Sequence, residues 1–213
     1  IILYAVPQDA MKLHKGNLVT VIKASMDYIL KNKTILLITL ATAINVLGGM
    51  IGGVAWQPFW KSYGIPTSFF GILFGMGYAA NVVLSLLVPQ CIKFFKSERN
   101  FLVFISILDF LRLFVIQFIH TPFLAGLIVI PSFMTAALYK PTEAILFQRN
   151  TTSAIRATVR SFYFMVIGTL SALGFIISGI IAQTFSPQIA LVVSSIPYLF
   201  VILIYLNIKN KRN

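Results

Sequence analysis

Six apolar runs, each about the length that crosses a bilayer as a helix, dominate this chain: 34–57, 68–89, 101–119, 123–147, 162–184 and 189–208. A membrane-spanning backbone must satisfy its own hydrogen bonds, so the choice is between helices and a closed barrel. Barrel strands are far shorter and alternate in polarity, which these runs do not. The spacing therefore predicts an all-α membrane protein with six transmembrane helices. Only 10% of the residues are charged, against about a quarter in a soluble domain. The connections are short, and between the third and fourth runs only His120, Thr121 and Pro122 intervene, so those two helices form a tight hairpin.

The net charge of +12 does not point to nucleic acid, because the cations are dispersed between apolar runs and form no recognition motif. Their distribution reports topology instead. Lys12, Lys15, Lys23, Lys31, Lys33, Lys93, Lys96, Arg99, Arg149, Arg156, Arg160, Lys209, Lys211 and Arg212 fall on one side. Lys61 alone falls on the other, and Arg112 and Lys140 lie inside runs. Cytoplasmic loops retain Lys and Arg, so both termini are expected in the cytoplasm. The chain divides into a linker at 1–33, a transmembrane domain at 34–208 and a tail at 209–213. Its opening "IILYAVP" reads as the end of an earlier apolar segment. In the linker, Leu18, Val19, Ile22, Met26, Ile29 and Leu30 recur at helical spacing, away from Lys23, Asp27 and Lys31. That pattern predicts an amphipathic helix on the lipid surface. Trp56 and Trp60 are expected to anchor the opposite interface.

Polar residues line one side of several runs. Thr42, Asn45, Gly49 and Gly52 share a face, as do Gly71, Gly75, Tyr78 and Ser85, with Asn81 beside them. Ser132, Thr135, Tyr139 and Thr142 form a third stripe, and Ser161, Gly168, Ser171 and Ser178 a fourth. The glycines read as sites of close helix packing. For Asn45, Tyr78, Asn81, Thr135 and Tyr139, packing and a polar substrate pathway both remain open. Asp109 and Arg112 are three residues apart, close enough to pair on their own helix. Such a pair is either structural or a proton-coupling or gating element, since intramembrane charges are so often functional. Lys140 and Glu143 read as a second pair, beside Pro141. Glu143 is a candidate for carrying a coupling proton, and Lys140 for reaching toward interfacial water. His14 and His120 stand alone, Cys91 is the only cysteine, and no metal or nucleotide motif is present, so no cofactor and no enzyme chemistry is expected.

At "PTEAILFQRNTTSAIRATVRSFYFMV" the chain resembles the major facilitator superfamily of secondary transporters. Arg156, Ala157, Thr158 and Ser161 match the Arg-Ala-Thr-x-x-Ser cytoplasmic loop of its drug-efflux branches, and "VIKASMDYILKNKTILLITLA" looks like the central linker entering that family's seventh helix. The connection "PQCIKFFKSERN" lacks the Gly and Asp-Arg elements of the family's other cytoplasmic motif, which usually belongs to the N-terminal half. The resemblance implies the C-terminal six-helix half of a twelve-helix bundle, whose N-terminal half would be a partner from the same chain. The first and fourth spans would then line the cavity, the second and fifth would face the other half, and the third and sixth would brace the bundle. It also implies alternating-access transport of a small molecule, with proton-coupled efflux across a bacterial plasma membrane, although no motif decides export over import. The abundant aromatics suit an aromatic or amphipathic cargo. The rival readings are the membrane domain of an ATP-driven exporter and a six-helix channel or structural subunit.

The topology is testable with single cysteines at Ser62 and Asn150 in intact cells. An impermeant thiol reagent should label the Ser62 position from outside and the Asn150 position only after permeabilisation; the reverse pattern defeats the assignment.

Overall fold

The computed structural model describes residues 18–153 and 155–209. The opening apolar segment, Lys12, His14, Lys15 and the tail beyond Lys209 lie outside the described residues. Among those described, every regular element is helical: α1 (Leu18–Lys31), α2 (Lys33–Gly53), α3 (Trp56–Ser62), α4 (Thr67–Ser85), α5 (Val88–Phe95), α6 (Glu98–Val115), a short 3-10 turn (Ile116–Phe118), α7 (Pro122–Leu127), α8 (Ile130–Asn150), α9 (Arg156–Thr184), α10 (Pro187–Val193) and α11 (Ile196–Leu206). They compose six stretches long and apolar enough to cross a membrane: Lys33–Ser62, Thr67–Ser85, Glu98–Phe118, Pro122–Asn150, Arg156–Thr184 and Pro187–Leu206. This is the architecture of a multi-pass membrane protein.

Helix ends follow ordinary capping chemistry. The Asn32 side chain accepts from the Ile35 N–H at 3.2 Å, Ser97 from Asn100 at 3.1 Å and Ser186 from Ile189 at 3.1 Å. Thr121 caps the helix after the tight hairpin, as its place before Pro122 favours. The fifth span begins at Arg156, earlier than the apolar run, because "RATVRSFY" contains nothing that breaks a helix. Arg156, Ala157, Thr158 and Ser161 are therefore helical residues in the first turns of α9, where the sequence pattern placed a loop. The first, fourth and sixth spans are each interrupted, at Val54–Ala55, Ile128–Val129 and Ser194–Ser195, and each interruption sets off a short segment of six or seven residues.

The spans pack in the order fifth, first, sixth, third, fourth, second, and the first also touches the fourth. Exchanging first with fourth, second with fifth and third with sixth returns the same order reversed. The first and fourth spans run antiparallel: the Trp60 indole at the end of one donates to the Ala125 carbonyl at the start of the other at 2.9 Å. At the other end Ile35 and Ile38 cluster with Leu146 and Phe147. The packing order is thus symmetric under exchange of the first three spans with the last three, and the central pair so exchanged runs in opposite directions. The ends of the bundle carry separate apolar clusters. One surrounds Phe101, Phe147, Tyr163 and Tyr205 at the end where the basic residues gather (the basic end), and one surrounds Phe59, Trp60, Ile116 and Leu191 at the far end.

Trp56 and Trp60 belong to that far cluster, with Trp60 fully buried, and do not face out as interfacial anchors. The indole of Trp60 finds its hydrogen-bond acceptor inside the bundle, which a surface position would not need. The glycines divide. A methyl group added at Gly48 would come within 3.0 Å of Pro197 Cβ, at Gly52 within 3.0 Å of Ser194 Oγ, and at Gly174 within 2.6 Å of Met50 Cβ. At Gly77 it would run into the Phe133 ring. Gly71, Gly75 and Gly168 meet nothing within 4 Å among the described residues, so they are not packing sites there. They lie on the second and fifth spans, of which only 11% is buried, against 50% of the first.

Helix α1 has three sectors. Ser25 and Ile29 are buried against α2 and α9; Val19, Met26 and Leu30 form an exposed apolar strip; and Lys23, Asp27 and Lys31 occupy the next sector round. The single apolar stripe expected from sequence is therefore split between the bundle and the outside.

Gly174→Ala should destabilise the protein by about 1–3 kcal/mol, the usual cost of overpacking. Gly168→Ala should be neutral. Thermal unfolding of the two variants in detergent checks the contrast, and equal losses would contradict the packing described.

Candidate functional site

Carboxylates within apolar helices must be neutralised, and here each one is met by an arginine. Of the described acids, Glu98, Asp109 and Glu143 are buried. Glu98 pairs with Arg149, Asp109 with Arg112 at 2.9 Å, and Glu143 with Arg160 at 3.0 Å. Guanidinium suits this work because it is planar, weakly hydrated and can address both carboxylate oxygens.

The Asp109–Arg112 pair forms as its spacing of three predicts. Both side chains are 8% exposed. The Thr135 hydroxyl donates to the same Asp109 oxygen at 2.7 Å, and the guanidinium lies 5.9 Å from the Trp56 ring. The cluster joins the first, third and fourth spans near mid-helix. Thr135 is committed to Asp109 and turned toward the third span, so it does not line an open pathway.

Glu143 takes a different partner from the one its neighbourhood implied. Arg160 donates to both of its oxygens, at 3.0 and 3.1 Å, and Tyr163 donates to Oε1 at 2.7 Å. Arg160 in turn lies 4.7, 4.3 and 4.8 Å from the rings of Phe147, Tyr163 and Phe164. This clamp ties the fourth span to the fifth. Lys140 takes no part, because its side chain is exposed while Glu143 is turned into the bundle. Arg160 and Tyr163 were missed in the sequence, where Arg160 counted only as a cation of the basic side. The available signal was its place just ahead of the aromatic trio Phe162–Tyr163–Phe164, where a guanidinium can be stacked as well as paired.

The other polar candidates separate. The Tyr139 hydroxyl is 2.7 Å from that of Tyr205 and 3.5 Å from the Thr42 hydroxyl, joining the fourth, sixth and first spans. Asn45 is half-buried and shares a face with Gly48 and Gly52, which turn to the sixth span. Asn81 donates to the Gly77 carbonyl of its own helix at 3.1 Å. Arg156 donates to the Thr151 carbonyl at 3.2 Å, and Ser161 to that of Ala157 at 3.0 Å, so the matched motif residues stabilise the start of α9. Tyr78 is 67% exposed, its ring 5.8 Å from that of Phe133.

Lys140 stands apart. It shares a helix face with Phe133 and Phe147, each seven residues away. Phe133 packs on Phe74 and Tyr78 of the second span, and Phe147 on Tyr163 of the fifth. The face carrying Lys140 therefore lies between the two least buried spans and is open among the described residues. Lys140 is four residues from the centre of the Pro122–Asn150 span, roughly 6 Å along the axis. Among the described residues it has no ion-pair partner.

No family model, curated protein or solved structure matches this chain.

The pairing makes a sharp expectation for double-mutant cycles read by unfolding in detergent. Glu143→Gln should cost about 1–3 kcal/mol, below the full penalty for breaking a buried pair because Arg160 is partly exposed. That loss should be coupled to Arg160→Gln and additive with Lys140→Gln. Coupling to Lys140 instead would reverse the assignment.

Proposed function

We propose that this chain carries secondary active transport of a small molecule by alternating access, as one six-helix half of a major facilitator bundle. The observation that carries the reading is the exchange symmetry of the packing order, with the antiparallel first and fourth spans in contact and the second and fifth on their outer sides; the face between them is, in this reading, the cargo crevice. Inverted repeats meeting at a midplane site are the working parts of such transporters. Lys140 supports it: a charge near mid-span is costly against lipid, roughly 2.5–3.5 kcal/mol even on the lenient scale, so its face needs water or another protein surface. The open faces of Gly71, Gly75 and Gly168 fit a second six-helix unit packing there. The basic end is cytoplasmic in this reading, and α1 lies on the membrane, its exposed apolar strip toward lipid and its lysines toward anionic headgroups. The direction is proton-coupled efflux. The Glu143 clamp and the Asp109 cluster act as ties between spans, and the cargo passes along the crevice lined by the first and fourth spans.

The test is flux in proteoliposomes holding the intact protein, using a panel of small organic anions, cations and neutral solutes. Accumulation driven by an imposed pH gradient without nucleotide is the expected result. A requirement for ATP would indicate the membrane domain of an exporter, and gradient-independent leak a channel; either outcome replaces this reading.

A further inference from the structure

The charge balance of the crevice fixes the kind of cargo it accepts. Asp109 and Glu143 are each neutralised by an arginine inside the bundle. Among the described residues, Lys140 is then the one uncompensated charge away from the ends of the six spans. It is exposed on the face of the fourth span that lies between the second and fifth spans, and apolar walls on either side would concentrate its field. Two helical turns away on the same face is Phe133, and Tyr78 presents a largely exposed ring beside it.

We propose that the crevice binds a small organic anion, its carboxylate or phosphate set against the Lys140 ammonium and its apolar or aromatic body against Tyr78 and Phe133. This rests on the transport reading above and adds a sign to it. An unpaired ammonium attracts an anion and repels a cation from the same water-filled space. Its flexible stem lets it follow the cargo, whereas the bundle's guanidinium groups are held in their pairs. Cationic compounds, the other large class of amphipathic cargo, are disfavoured at this site.

The sign of the local potential can be measured without knowing the cargo. Ala136, one helical turn from Lys140 and half-buried, is replaced by cysteine in the intact protein, with Cys91→Ala removing the native thiol. The protein is placed in vesicles of phosphatidylcholine alone, which excludes anionic lipid as the bound group. Reaction rates are compared for 2-sulfonatoethyl and 2-(trimethylammonio)ethyl methanethiosulfonate, each normalised to a free thiol. The anionic reagent should be favoured by roughly tenfold or more, within the range that focused fields give to encounter rates. Lys140→Arg should keep that preference, Lys140→Gln should bring the ratio near one, and Lys140→Glu should invert it. If both reagents react equally in the parent, or if Lys140→Gln leaves the ratio unchanged, the anion inference fails while a water-filled crevice stands. If neither reagent reacts, the crevice is closed to water and the transport reading falls with it.

Discussion

A carboxylate taken into the interior of an apolar bundle sets conditions that everything around it must meet. Desolvation makes the lone ion untenable, and a partner that addresses both oxygens is the economical remedy. In this protein three buried acids meet that demand with three arginines, and the positions of the helices follow from it. The pair on the third span is local and draws in Thr135 from the fourth. The Glu143 pair crosses from the fourth span to the fifth and brings Tyr163 with it. Glu98 and Arg149 join the start of the third span to the end of the fourth. These contacts give little net stability by themselves. What they add is specificity, because a helix rotated or slipped by one residue would leave an ion unmatched in a medium that cannot solvate it.

Apolar packing supplies the remainder. Lipid tails are as apolar as leucine, so helix association depends on close fit, and the small residues of the first span provide it. Gly48 and Gly52 let the sixth span approach, while Met50 and Leu47 fill the space left open by Gly174 on the fifth. The same type of residue at the same spacing on the second span meets nothing within 4 Å among the described residues. The contrast separates a surface packed by the bundle's own helices from one left open among the described residues. Lys140 is exposed as well, on the neighbouring fourth span.

Much of this architecture is legible in the order of residues. Run length and composition give the six helices, and the spacing of Asp109 and Arg112 gives their pair, because both depend only on local chain geometry. The partner of Glu143 was not legible in the same way. Lys140 is three residues from it and Arg160 is on another helix, and sequence spacing favours the nearer cation, whereas rotation about the helix axis decides which one the carboxylate faces. Trp56 and Trp60 misled for a related reason: tryptophan near the end of an apolar run fits an interfacial anchor and a buried core equally well. Gly48–Gly52 and Gly71–Gly75 read alike on paper, and only the packing order of the spans distinguishes them. The polar pathway resolved least, since Thr135 and Tyr139 proved to be engaged inside the bundle while Tyr78 was left exposed.

The three interrupted spans give the molecule an uneven stiffness. At the basic end the second span breaks at Leu86–Leu87 into the short α5, but the other five are continuous there, tied to one another by guanidinium pairs and by the Arg99 side chain bonded to the Ile208 carbonyl at 2.9 Å. At the far end the first, fourth and sixth spans are jointed, and their short terminal segments cohere through aromatic and aliphatic contacts around Trp60 and through neutral hydrogen bonds, from Trp60 to the Ala125 carbonyl and from Gln188 to the Ile116 carbonyl. Rods joined by directional bonds resist bending and separate only as whole bodies. Jointed segments held by packing and neutral hydrogen bonds can shift and re-seat without breaking an ion pair. The two mouths of such a bundle are different mechanical devices, one a rigid jaw and the other a set of fingers.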